Sequence, residues 1–295
     1  MTSGPQIGPN GKPVKGPDMR VTVAGVEFRS PVIAASGTFG YGVEFEEIVA
    51  LDKIGGFVTK GLSREPMAGN PTPRIIETAA GMINAIGLQN MGVHAFIAEK
   101  LPKLLTMKGA VTIANVFGFT IEDCLEVIRA LNDAPGIALY ELVVRCKGVA
   151  RRPLMVKLSP NVTSIGQMAR VAADAGADAL SLVNTFLSLA IDVETRKPRI
   201  ANVTGGLSGP AIKPIAVRMV HEAAKAVRIP IVGMGGIVRA EDAVEFMLAG
   251  ATAVEVGTAS YADPRAVENI ANGLRRWCAE HEVGRVAELT GAAIL

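Results

Sequence analysis

Eight short apolar runs recur along the chain, at Val32–Ala35, Gly56–Lys60, Val111–Val116, Ile137–Leu142, Leu154–Leu158, Ala179–Val183, Pro230–Gly233 and Ala253–Gly257. They are near-continuous rather than alternating, the pattern of parallel strands covered on both faces. Between most of them the spacing becomes helical, most clearly in GVHAFIAEKLPKLL, TIEDCLEVIRAL, SIGQMARVAADA, AIKPIAVRMVHEAAKAV and AEDAVEFMLAG. Thr120 with Asp123, and Ser164 with Gln167, have the spacing of helix caps. Before the first run, RVTVAGVEF alternates around Ala24-Gly25 and predicts a β-hairpin. Eight strands alternating with helices predict an α/β fold, a closed (β/α)8 barrel. A doubly wound sheet is the alternative, but GMGGIV has Val238 where a dinucleotide-binding turn needs its last glycine.

Two segments interrupt this rhythm, and both follow strands. Residues 62–91 are rich in Pro and Gly, and residues 185–211 carry ETRKPRI and TGGLSGP. In a barrel, loops after strands line the catalytic face, so insertions after strands 2 and 6 predict a site there.

Composition narrows the class. Of 295 residues, 49% are hydrophobic and 20% charged, enough for a sizeable core, and the net charge of +2 offers no nucleic-acid surface. Three cysteines without a CxxC read as reduced thiols, and three histidines without metal-binding spacing predict no metal site. No apolar run is long enough to span a membrane. Residues 1–19 are expected to be a disordered leader, with one barrel domain over residues 20–295, in a soluble cytoplasmic protein.

The strand ends concentrate unusual residues. Strand 1 ends in AASG with Ser36, strand 2 in Lys60-Gly61 and strand 3 in Asn115; strand 5 carries Lys157, and strand 6 ends in Val183, Asn184 and Thr185. Glycines 235 and 236 after strand 7, with Gly257-Thr258 after strand 8, suit a phosphate cradle, where backbone N–H groups approach an anion unhindered by Cβ atoms. Lys60 and Lys157 lie on strands that otherwise read as buried. Each is either paired with a neighbouring carboxylate, Glu141 being the candidate, or faces a bound anion such as a reduced flavin. The stretch 69–90 offers Asn70, Asn84, Gln89 and Asn90, which could read the edges of a neutral ring or could simply shape turns.

Together, GNPTPRxxET, GMxNAIGLQN, KLSPN, the NT after strand 6, GGLSGPAIKP, GMGG and VGT resemble the class 1 dihydroorotate dehydrogenases, most closely the bacterial 1B subgroup. The resemblance runs from about residue 20 to residue 265 and implies a TIM barrel with FMN at the carboxyl ends of its strands. It implies that Ser36, Lys60, Gly61, Asn115, Lys157, Val183, Gly209, Gly235, Gly236, Gly257 and Thr258 contact FMN. Lys60, Asn84, Ala85, Ile86, Gly87, Leu88, Asn184 and Thr185 would contact the pyrimidine. The implied reaction oxidises (S)-dihydroorotate to orotate, a base taking the C5 proton while hydride passes from C6 to flavin N5. Enzymes of this subgroup are expected to be homodimers that join a second subunit with FAD and a 2Fe–2S cluster, which passes electrons to NAD+. An FMN-binding barrel without turnover, serving as a structural or regulatory subunit, is the alternative.

The pattern breaks once. Strand 4 of the family ends in ELNxSCPN, whose cysteine is the base, and a long loop and helix precede KLSP. Here ELVVRCKG runs almost directly into RRPLMVKLSP. Either Cys146 takes the catalytic position with its neighbours replaced, or VVRCKGVARRP is the tail of the crossover helix and roughly two dozen residues with the catalytic cysteine are missing. The helical spacing of Val143, Cys146, Val149 and Ala150, with Lys147, Arg151 and Arg152 towards the carboxyl end and Pro153 as a stop, favours the second. The catalytic base is then unassigned. The intact motifs elsewhere favour a dropped segment over a natural deletion.

Overall fold

The computed structural model describes residues 16–142 and 147–294. The expected hairpin forms from β1 (Val21–Val23) and β2 (Val26–Phe28), turning at Ala24-Gly25. All eight apolar runs become strands: β3 (Val32–Ala34), β4 (Gly56–Val58), β7 (Val111–Val116), β8 (Ile137–Leu142), β9 (Leu154–Lys157), β10 (Ala179–Leu182), β15 (Ile231–Met234) and β16 (Ala253–Val256). Every pairing among them is parallel, and β16 returns to β3 to close the barrel, which excludes the doubly wound sheet. Both faces of these strands are buried, one inside the barrel and one under the helices, which is why their sequences lack alternation.

The helical stretches fold as their periods predict. Val93–Leu104 is helical with a five-residue π segment at Phe96–Lys100, followed by Pro102 in the next turn. Helix α3 (Ile121–Asn132) opens on a reciprocal capping box between Thr120 and Asp123, and α4 (Ile165–Asp174) on Ser164, whose hydroxyl accepts from the Gln167 amide. Helices α5 (Lys213–Ala226), α6 (Ala240–Leu248) and α8 (Ala266–Glu280) complete the outer layer.

The two insertions meet. β5 (Ile75–Thr78) and β6 (Gly81–Asn84) come from the first; β11 (Phe186–Leu189) and β14 (Thr204–Ser208) come from the second. They form one antiparallel sheet in the order β11-β14-β6-β5, with Gly206 opposite Asn84. This sheet stands beside the carboxyl ends of the barrel strands and supplies one wall of the site.

Residues 1–15 of the expected leader lie outside the described residues. Its last part is built into the fold: Asp18 bridges to Arg285, and Met19 is buried.

The link between β8 and β9 corrects the sequence reading. Cys146, with Val143, lies outside the described residues, but Lys147–Val149 form a turn and residues 150–153 are irregular, not the tail of a crossover helix. The residues are instead pinned from several sides. The Asn132 side chain, at the end of α3, donates to the Val149 carbonyl and accepts from the Arg151 amide, both at 3.0 Å. The Arg152 guanidinium donates to the carbonyls of Leu131, Asn132 and Ala134 and to the Tyr140 hydroxyl. Lys147 pairs with Asp178, whose carboxylate also accepts from the Leu154 amide. Eleven residues can reach about 36–40 Å when extended, enough to return beside β8 but not to add a full loop and helix. Arg152 thus satisfies carbonyls at and just past the carboxyl end of α3, where a helix leaves them without partners of its own. Arg152→Ala is expected to cost about 2–3 kcal/mol, the scale of lost charge-assisted hydrogen bonds, read as a lower urea midpoint with unchanged slope.

Candidate active site

At the carboxyl ends of the strands lies a cavity of about 420 Å3. Every residue expected on the flavin side lines it: Ser36, Lys60, Gly61, Asn115, Lys157, Val183, Gly209, Gly235, Gly236, Gly257 and Thr258. So do those expected on the pyrimidine side, Asn84, Ala85, Ile86, Gly87, Leu88, Asn184 and Thr185. The sequence scatters these positions over more than 220 residues, and barrel closure brings them to one mouth.

Local hydrogen bonds set the walls. The Asn115 amide donates to the Ser36 hydroxyl at 2.6 Å, which donates to the Thr59 carbonyl at 2.8 Å, locking the ends of β3, β4 and β7 together. Opposite, the Thr258 hydroxyl donates to Ser208 at 2.8 Å and ties the end of β16 to β14. Gly236 has φ +79°, and a Cβ there would sit 2.7 Å from the Gly209 carbonyl oxygen. Only glycine lets these two turns come so close while leaving their backbone open to the cavity. Gly236→Ala is therefore expected to weaken FMN binding about tenfold or more, from a left-handed backbone penalty of roughly 1–2 kcal/mol; a fluorescence titration of flavin-free protein reads it.

The amides of residues 69–90 divide between the two readings the sequence left open. Asn70 and Asn90 shape turns: Asn70 donates to the Ala85 carbonyl at 3.0 Å, and Asn90 accepts from the Gly92 amide at 2.7 Å and donates to Leu88 O. Arg74 reaches the Asn70 carbonyl and Gln89 Oε1, so GNPTPR braces the loop that carries residues 84–88. Asn84 and Gln89 line the cavity itself. Across the mouth, Asn161 of KLSPN donates to the Thr185 carbonyl and accepts from the Leu187 amide, both at 3.0 Å, holding the turn after β10.

The two lysines also divide. Lys157 is paired as the first reading expects, its Nζ lying 3.4 Å from Glu141 and 3.8 Å from Glu255, and it also lines the cavity. Burial alone would lower its pKa, but attraction to Glu141 and then Glu255 outweighs burial and raises it. Lys60 is half-buried and has no carboxylate partner among the described residues; burial, then the Arg74 charge, lower its pKa. An unpaired, partly desolvated ammonium is a ready counter-charge for an anionic ligand. Glu255, which the sequence reading passed over as part of an apolar run, also lines the cavity. Its one signal was a carboxylate inside the otherwise apolar AVEV.

A closed barrel with glycine turns after its last two strands, two lysines, Lys60 and Lys157, at its cavity and apolar walls from Ala35, Val183, Met234 and Ile237 is built for a phosphorylated planar cofactor. Residues 18–146 and 138–277 match the family model described as dihydroorotate dehydrogenase, and the chain belongs to that family. It is 55% identical to a protein of Solibacter usitatus named as dihydroorotate dehydrogenase A (fumarate), over 93% of this chain and 98% of that one. It is 53% identical to the dihydroorotate dehydrogenase B (NAD+) catalytic subunit of Pelobacter propionicus, over 94% and 98% of the two chains. The corresponding subunit of Geotalea uraniireducens is 51% identical, over 94% and 99%.

These similarities locate the break. The family model matches this chain in two stretches rather than one, and they meet at residues 138–146, at the end of β8. The Solibacter alignment runs over 299 positions but uses 93% of a 295-residue chain, so about two dozen positions of the relative have no counterpart here. The family's segment between β8 and β9 is thus absent from this chain. Cys124 and Cys278 are buried in α3 and α8, and neither lines the cavity.

Proposed function

We propose that this barrel oxidises (S)-dihydroorotate to orotate in de novo pyrimidine biosynthesis, as the catalytic subunit of a cytoplasmic enzyme. The observation that carries the proposal is that one cavity is lined by all the residues expected on the flavin side and on the pyrimidine side, with Lys60 among both. FMN, when bound, supplies the acceptor for the hydride leaving C6. The turns at Gly209, Gly235, Gly236, Gly257 and Thr258 would hold its phosphate, Ser36, Gly61, Asn115 and Val183 would bound its ring, and Lys157 would offer positive charge to it. On the substrate side, Lys60 meets the carboxylate, and Asn84, Asn184 and Thr185 with the backbone of residues 85–88 pair with the ring amides.

The C5 proton needs a base, and the described cavity residues provide none suited to neutral pH. Its ionisable groups are Lys60, Lys157, Glu255 and Tyr261. Lys60 is engaged by the substrate carboxylate, Lys157 and Glu255 are bound up in the floor, and burial raises the Tyr261 phenol further from neutrality. The base belongs to the segment between β8 and β9. A 295-residue chain without that segment fits the second reading, a barrel that binds FMN and pyrimidine with little turnover.

Relatives named as B-type catalytic subunits support a partner subunit. We assign to it FAD and a 2Fe–2S cluster, with NAD+ as final acceptor, in a heterotetramer built on a homodimer of this chain. Fumarate, in the name of the Solibacter relative, is the rival acceptor.

Because the Lys60 pKa is lowered, this cation is lost at a lower pH than an ordinary lysine, and its carboxylate ligand favours the charged form. Orotate affinity is therefore expected to fall as pH rises through the titration of Lys60, and Lys60→Met should remove that pH dependence along with roughly 10–100-fold of affinity. The function itself is tested by anaerobic addition of dihydroorotate to flavin-loaded protein of measured intact mass. Bleaching in a chain carrying the β8–β9 segment supports dihydroorotate oxidation; a stable yellow spectrum in such a chain overturns it.

A further inference from the structure

Beneath the cavity, three charged side chains converge from three strands. Lys157 on β9 lies between Glu141 on β8 and Glu255 on β16. Glu141 is fully buried and accepts a 2.7 Å hydrogen bond from the Ser181 hydroxyl on β10, so it is the better-solvated partner of the lysine. Glu255 is only 1% exposed, and as a carboxylate neither of its oxygens has a hydrogen-bond donor among the described residues. Its register neighbours on either side, Met234 on β15 and Ile33 on β3, are apolar.

Three formal charges therefore leave one excess negative charge in a site shielded from water, where an unpaired ion costs several kcal/mol. Lys157 can neutralise one carboxylate, and distance and hydrogen bonding assign it to Glu141. A protonated Glu255 instead finds an acceptor in Glu141. Burial first, and then the Glu141 charge, push the Glu255 carboxyl well above its ordinary range, and Lys157 offsets this only in part.

We propose that Glu255 is a neutral carboxylic acid in the working protein, a positioning residue that leaves Glu141 as the one charged partner of Lys157, so that the ammonium can also serve the flavin. An ionised Glu255 would compete for that ammonium with the anion formed when the flavin is reduced. A neutral one completes the floor through a hydrogen bond and adds no opposing charge. The flavin half of this assignment rests on the proposed FMN site; the protonation half does not.

Infrared spectroscopy in D2O at pH 8 tests the protonation without flavin. Burial and the neighbouring Glu141 charge hold the Glu255 carboxyl protonated, so a carboxylic-acid C=O band is expected in wild-type protein and is expected to be lost in Glu255→Gln. No such band in wild type, or one that persists in the variant, overturns the proposal. Absence of the band from wild type overturns the proposal even if the variant does not fold, and Glu255→Asp, which keeps an acid there, should shift the band rather than abolish it. In flavin-loaded protein, the ratio of affinities for reduced and oxidised FMN, read from the midpoint potential at neutral pH, should change less than about threefold in Glu255→Gln. Removing a true negative charge near the ring would change it by more than about tenfold, and that result also overturns the proposal. A colourless protein that retains the band would count against the FMN site and leave the acid assignment standing.

Discussion

Lys157→Met is expected to cost the fold about 3–5 kcal/mol at neutral pH, the scale seen when one partner of a buried ion pair is removed. The lysine is the only cation beside Glu141 and Glu255 in the described floor of the barrel. Without it, Glu141 loses its counter-charge and is left as a buried carboxylate held only by the Ser181 hydroxyl. Urea unfolding at pH 7 should show a lower midpoint in the variant than in wild type. Adding Glu141→Gln should recover much of the loss at pH 7, a coupling read by a double-mutant cycle. A cost below about 1 kcal/mol at pH 7 would mean that these charges do not interact as the geometry requires.

The second large effect concerns the base. General-base catalysis contributes typically about 10²–10⁴-fold, and no described group in the cavity is fitted to supply it. A verified 295-residue chain, of 30.8 kDa, should bind FMN and orotate yet bleach with dihydroorotate slower by that factor than the same protein carrying the segment of its relatives. Such a segment of two dozen residues adds roughly 2–3 kDa, so intact mass distinguishes the two proteins before kinetics begin. Fast bleaching at 30.8 kDa would require a base in the β8–β9 link, and Cys146 would be the residue to replace first.

The barrel was legible because each strand is a near-continuous apolar run, the pattern that burial on two faces leaves. Thr120 and Ser164 marked helix starts correctly because a cap is a local hydrogen bond. Pairing between the two insertions was not legible. Leu207 lies opposite Ile83, more than 120 residues earlier, and no local spacing encodes that contact. The link after β8 misled for a related reason. Residues 147–153 continue an apolar spacing that suits a helix, but a chain this short is held by Asn132, Arg152 and Asp178, contacts invisible to periodicity.

Candidate site residues were legible where chemistry conflicts with burial, as for Lys60 and Lys157. Glu255 escaped notice because a single carboxylate in AVEV resembles the polar phase of an ordinary strand. Asn70 and Asn90 carry the same side chain as Asn84, yet only Asn84 lines the cavity. Their neighbours, not their type, decide between turn and ligand.

The central claim is that the barrel mouth holds FMN with the pyrimidine beside it, and the visible spectrum of the purified protein tests it most directly. The expected result is a yellow protein with one FMN per chain, whose flavin bands shift on addition of orotate and no longer do so in Lys60→Met. A colourless protein that takes up no added FMN would contradict it.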